Sequence, residues 1–171
     1  DTPIPIYEKN LYEKYISKCV GSLINQTLND IEIVCVDDGS KDNSLHILEE
    51  YAKKDSRIKV VSQQNSGPAA ARNNGLKNAS GEYIMFCDSD DFYKPDMCKK
   101  MLSAINNNNV DWAVCDAQIF PSEDYNIRIK NTETINYNRE NYPSVGVGLW
   151  CYIFKKSIIQ RYNITFPNCF Y

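Results

Sequence analysis

Asp88, Asp90 and Asp91 crowd three carboxylates into the four positions after the run Tyr83-Ile84-Met85-Phe86-Cys87. That run is apolar or aromatic throughout and is opened by Gly81, the pattern of a strand buried on both faces. Acids gathered at one point repel each other unless a cation or hydrogen-bond donors offset them, so folding alone does not call for them. The C-terminal ends of strands are where ligands sit in open α/β sheets. The plainer alternative is a polar turn with helix-capping aspartates ahead of Pro95.

The elements that must position these acids follow from periodicity. Asp1 to Tyr7, with Pro3 and Pro5, reads as an extended segment, and the charged residues 8–14 as loop. Ile16, Cys19, Val20, Leu23 and Ile24 share one helical face, which predicts a helix over 15–26. Ile31 to Val36, interrupted only by Glu32, predicts a strand that also ends in acids, at Asp37-Asp38. Ser40 or Asp42 can cap the following helix, which carries Leu45, Leu48, Tyr51 and Ala52. Ile58 to Val61 is a third strand, Ala69 to Asn78 a helix, and a further helix runs from about Pro95 to Asn106. Trp112 to Asp116 reads as a strand and Lys156 to Tyr162 as a helix, while 117–146 has no assignable pattern.

Strands alternating with helices predict an α/β chain with a mostly parallel, doubly wound sheet flanked by helices. Parallel strands deliver their C-termini to one edge, so Asp37-Asp38 and Asp88-Ser89-Asp90-Asp91 belong to one rim. Such a rim suits a hard divalent ion, Mg²⁺ or Mn²⁺, and a substrate carrying phosphates. A carboxylate not used for metal can accept a hydrogen bond from a base edge or ribose hydroxyl. The loop Asn65 to Ala71 offers Gly67 for close backbone approach, and Arg72 adds a permanent cation, unless it is an ordinary surface arginine. Tyr7 can stack on a base or serve in packing.

Composition narrows the classes. The 171 residues are 43% hydrophobic and 24% charged, as in an ordinary globular domain, and the net charge of -3 supplies no basic field for nucleic acid. No apolar run approaches the roughly 20 residues of a membrane span, so a soluble chain is expected. Seven cysteines, an odd number with no CxxC, suit reduced thiols in the cytoplasm rather than a disulfide framework or zinc site. With His46 as the one histidine, a catalytic triad or multi-histidine metal site is disfavoured.

Five blocks carry a resemblance: Asn25-Gln26-Thr27, Ile31 to Ser40, Gly67 to Asn74 with Ala71-Arg72-Asn73, Gly81-Glu82-Tyr83-Ile84, and Asp88-Ser89-Asp90-Asp91. In order and spacing, from about Pro5 to about Met101, they resemble the family 2 glycosyltransferases of GT-A, Rossmann-like fold. The resemblance implies inverting transfer of a sugar from a nucleoside diphosphate donor, usually a UDP-sugar, with Mn²⁺ or Mg²⁺. It implies a glycan or lipid-linked acceptor, a role in bacterial cell-surface polysaccharide synthesis, and a place in the cytoplasm or at the inner face of the membrane. Carried over by position, Asp38 would hold the uracil edge, with Pro5 and Tyr7 flanking the base and Arg72 near the nucleotide. Asp88-Ser89-Asp90 would be the D-x-D, with Asp90 the metal ligand, Asp88 near the ribose or a second ligand, and Ser89 beside the donor.

Residues 1–116 would then be the donor-binding half of the domain, and 117–171 an incomplete acceptor-side segment. In the resembling family the region around Trp150, Lys155-Lys156-Ser157 and Phe166-Pro167 runs into a Glu-Asp pair that holds the catalytic base. That base would lie beyond Tyr171, so a C-terminally truncated domain is expected, able to bind the donor but poor at transfer. Asp111, Asp116, Glu123 and Asp124 are substitute bases that spacing does not rank, and Trp150 either stacks on an acceptor sugar or packs in the core. A sugar-nucleotide nucleotidyltransferase is the rival enzyme class, but residues 5–15 lack the glycine and arginine of its phosphate loop. A non-catalytic nucleotide-binding module is the other alternative.

Overall fold

A computed structural model of the chain describes residues 7–115 and 148–167, with the backbone alone over 7–14. Pro5, Asp116, Glu123 and Asp124 lie outside the described residues, as does the Tyr7 side chain.

The first helix, α1, is Tyr7–Ile24. It takes in residues 8–14, which the charge pattern assigns to a loop. Glu8, Lys9, Leu11, Glu13 and Lys14 are all good helix formers, uninterrupted by glycine or proline. High charge density there does not exclude a regular helical backbone. Further along, α1 buries Cys19 and Val20.

A crossover follows: β1 (Ile33–Asp37), α2 (Ser44–Lys54) and β2 (Ile58–Ser62), with the strands parallel and Ile33 opposite Ile58 through to Asp37 opposite Ser62. Side chains alternate across a strand, so β1 serves two layers. Ile33 packs with Val20, Leu48 and Ile58, the first core, each side chain worth roughly 1.5–3 kcal/mol when fully buried. On the opposite face Val36 faces Gly75 of α3 (Pro68–Asn78), where an added Cβ would stand 3.6 Å from the Val36 side chain. The N-cap of α2 is Asn43 rather than Ser40 or Asp42, and Asp42 sits one residue earlier, its Oδ1 accepting from the Ser44 amide at 3.0 Å.

The second sheet has the order β3-β5-β4, from β3 (Tyr83–Met85), β4 (Trp112–Val114) and β5 (Tyr152–Lys155). Both of its pairings are antiparallel, because β5 runs against its two neighbours. The strand pattern anticipates parallel strands and contains no sign of this reversal, since a four-residue strand does not encode direction. β3 and β4 consequently point the same way. The helix α4 (Met97–Asn107) covers one face of this sheet, and Met101 and Ile105 pack on Ile153 to make a second core. Pro95 stands just ahead of α4 rather than in its first turn. After β5 the chain forms α5 (Lys156–Arg161). Residues 152–155 thus lie beside 83–85 in one sheet.

Two links show that β1 and β3 run in the same sense. Near their starts, the Glu32 carboxylate accepts from the Ser80 and Gly81 amides. Near their ends, α3 bridges the acids that follow each strand. The rim inferred from chain order therefore exists.

Candidate functional site

The two aspartates after β1 have different work. Asp37 is 4% exposed and closes the turn, accepting from the Ser40 amide and the Ser62 hydroxyl at 3.3 Å each. Gly39 makes that turn with φ +72, and a Cβ there would stand 2.8 Å from the Asn65 backbone nitrogen. Asp38 instead reaches across to the loop before α3. It accepts from the Gln63 side-chain amide at 2.7 Å, the Ser66 amide at 2.9 Å and the Gly67 amide at 2.8 Å. The last of these precedes the N-terminus of α3, where Gly67 takes φ +87 and Pro68 begins the helix. Gln63 is fixed in turn by Asn74, whose amide donates to its Oε1 at 2.6 Å.

The acids after β3 sit in a loop closed by tyrosine. The Tyr93 hydroxyl donates to the Phe86 carbonyl at 2.5 Å, and the Trp150 carbonyl lies 3.4 Å away. The Tyr93 amide donates to the Ser22 hydroxyl of α1 at 3.0 Å, and the Asp91 amide to the Asp88 carbonyl at 3.0 Å. Cys19 and Cys87 bring their sulfurs to 3.7 Å beneath the loop, and Lys18 lies over the Phe92 ring at 3.7 Å. Between these anchors Ser89 and Asp90 are exposed, while Asp88 and Asp91 are half-buried. Burial, with the charges of Asp90 and Asp88, pushes the Asp91 carboxyl up.

The two halves of the rim meet through α3. Asp38 holds its start, and one turn along Arg72 donates to both oxygens of Asp88, at 3.0 and 3.3 Å. The structure thus brings together Asp38, Arg72 and Asp88, with Ser89 and Asp90 on the same loop. Gln63, Asn73, Tyr93 and Phe166, which frame the rim, carry no role in the sequence reading. For Asn73 a signal existed in the Ala71-Arg72-Asn73 block. Gln26, from another of the blocks, has a structural duty: its side chain donates to the Lys94 carbonyl at 2.8 Å and accepts from the Cys98 amide at 2.9 Å, docking the end of α1 onto α4. Trp150, in a short 3-10 turn Leu149–Cys151 ahead of β5, is at the rim end of the second sheet. Asp111 is at the opposite end, ahead of β4, where it pairs with Lys155 at 3.3 Å.

This donor set fits a hard divalent ion. Among the described residues no three metal-ligating side chains converge on one point. A magnesium-type ion needs only one or two carboxylates, with phosphate and water completing its shell. Burial is the larger cause of the rise at Asp91, and the repulsion from Asp90 and Asp88 that adds to it is what a cation beside them would relieve.

Comparison with known proteins gives one consistent result. The family model Glycosyl transferase family 2 matches residues 3–164. EpsH of Bacillus subtilis, named as a glycosyltransferase, is 38% identical over 163 residues, covering 91% of this chain and 47% of EpsH. The poly(ribitol-phosphate) beta-glucosyltransferase of Bacillus spizizenii is 48% identical over 93 residues, 52% of this chain and 14% of that protein. The crystal structure of S. aureus TarS 1-349 with UDP-GlcNAc superposes with a TM-score of 0.77 at 29% identity, covering 91% of this chain and 46% of that 1-349 chain. The chain spans about half the length of EpsH and of that TarS structure.

Proposed function

The chain belongs to glycosyl transferase family 2, and from that premise we propose that its acidic rim binds a UDP-sugar for metal-assisted, inverting transfer to a hydroxyl acceptor. It is a glycosyltransferase chain of GT-A fold. The hydroxyl belongs to a glycan or lipid-linked acceptor, and the setting is bacterial cell-surface polysaccharide synthesis, in the cytoplasm or at the inner face of the membrane. Support for the setting comes from the relatives, among them the poly(ribitol-phosphate) glucosyltransferase. No described helix is long and apolar enough to cross a membrane.

The observation that carries the reading is the convergence of Asp38, Arg72 and Asp88 around the first turns of α3, in a fold shared with TarS bound to UDP-GlcNAc. An ionised carboxylate offers about four acceptor positions, and three at Asp38 are taken by Gln63, Ser66 and Gly67. One remains for the N–H of a uracil edge, and the other three fix its direction. Arg72 sets a permanent positive charge where the diphosphate would lie, paired on one side with Asp88. Asp90, exposed on the loop, and Asp88 would hold Mn²⁺ or Mg²⁺. When bound, such an ion neutralises charge developing on the diphosphate leaving group. Tyr7 and Pro5 would flank the base. The group that takes the acceptor's proton is unassigned; Asp111 is unsuited, because it is paired at the wrong end of the sheet.

Titration calorimetry with UDP, with and without Mn²⁺, tests the reading. Metal-dependent UDP binding that Asp90→Ala abolishes is the expected outcome. Equal affinity of parent and Asp90→Ala for UDP and metal would overturn the assignment of the metal site.

A further inference from the structure

Asn73 follows Arg72 on α3 and makes a closed pair of hydrogen bonds with one distant residue. Its Nδ2 donates to the Phe166 carbonyl at 2.8 Å, and the Phe166 amide donates to its Oδ1 at 2.9 Å. A side-chain amide thereby satisfies both backbone groups of Phe166, as a neighbouring strand would. The Phe166 ring then meets the Phe86 ring edge-on, with centroids 5.3 Å apart, and the Arg72 guanidinium carbon lies 6.0 Å from the Phe166 centroid. Phe166 is therefore wedged between the arginine that pairs with Asp88 and the residue that opens the acidic loop. Arg72 and Asp88 are each only about two-thirds buried, with side chains 30% and 32% exposed, so the pair alone does not confine a long, flexible arginine.

From this geometry we infer that Asn73 is a positioning residue: it fixes Phe166, and Phe166 holds the Arg72 guanidinium against Asp88, preset for the diphosphate of the donor. The inference rests on reading the rim as a nucleotide-diphosphate site, and adds to it a residue that touches no substrate. Its signature is selectivity. A nucleoside without phosphates makes no use of Arg72, so loss of Asn73 acts on the diphosphate and spares the base.

The test compares UDP and uridine, in the presence of Mn²⁺, on the parent, Asn73→Ala, Phe166→Ala, Arg72→Ala and the Asn73→Ala/Arg72→Ala double variant. Circular dichroism first verifies that each variant is folded. Asn73→Ala and Phe166→Ala should each weaken UDP about tenfold, the size of one charge-assisted contact, while uridine affinity stays within about twofold. In the Arg72→Ala background, Asn73→Ala should weaken UDP no further. Equal losses for UDP and uridine would show a general structural role and overturn the inference, as would full additivity with Arg72→Ala or unchanged UDP binding. If the parent itself bound no UDP, the donor-site reading and this inference would both fall. If the parent bound UDP and Asn73→Ala bound it equally well, only the inference would fall.

Discussion

The Tyr93 hydroxyl donates to the Phe86 carbonyl at 2.5 Å, joining the two ends of the loop that carries Asp88, Ser89, Asp90 and Asp91. Tyr93 is 8% exposed, and burial holds its hydroxyl protonated far above the usual range for a phenol. The hydroxyl is therefore a permanent donor, and the loop's span is set by a side chain rather than by its own backbone.

Tyr93→Phe keeps the ring and removes only this donor, leaving the half-buried Phe86 carbonyl without it. The expected cost is about 1–3 kcal/mol of stability, read as a lower urea midpoint with an unchanged slope. Metal-dependent UDP affinity should fall with it, because Asp88 and Asp90 lose their fixed spacing. An unchanged midpoint would mean that the hydroxyl does not close the loop.

Gly39→Ala should be more harmful than a one-methyl change usually is. The position has φ +72, and the added carbon would meet the Asn65 backbone nitrogen at 2.8 Å. A left-handed non-glycine residue costs roughly 1–3 kcal/mol before that contact is counted. Thermal denaturation should show the loss, and UDP binding should weaken because Asp38 and loop 63–67 shift apart. A melting temperature within a degree of the parent would contradict this account of the turn.

Asp91→Asn should stabilise the unliganded chain at neutral pH. Burial and the charges of Asp90 and Asp88 raise the Asp91 carboxyl in the folded state. Between the ordinary carboxylate pKa near 4 and that raised value, the folded chain binds more protons than the unfolded one, so its stability declines as pH climbs through the window. Above that window the decline is fully present and Asp91→Asn escapes it, gaining about a few tenths of a kcal/mol after allowance for solvent screening. Urea denaturation should show the gain shrinking toward pH 4. A gain equal at both pH values would point to packing instead of charge.

What the sequence reveals of the site depends on how local each piece is. The acids at Asp38, Asp88 and Asp90 stand at strand ends, and apolar runs followed by polar residues are visible within ten positions. Their common rim follows from alternation of strands and helices, and the structure bears it out. The direction of β5 is different, since Tyr152–Lys155 would read the same running either way. Helix over residues 8–14 is missed because charged residues serve loops and helices alike. The donors around Asp38 come from a loop that must first fold back across the strand ends. Nothing near Asn73 announces Phe166, because that pairing exists only once both sheets and α5 are in place.

The pairing of Asn73 with Phe166 spans 93 positions, which has a kinetic meaning. Contacts so far apart in the chain carry the closure entropy of everything between them and form late in folding. During synthesis the first core, drawn from α1, β1, α2 and β2, has all its residues before Ser62 and can condense long before Phe166 emerges from the ribosome. The nascent chain thus acquires Asp38 and its loop early, and Arg72 gains its aromatic wall last. Until then the rim is present in composition but open on one side.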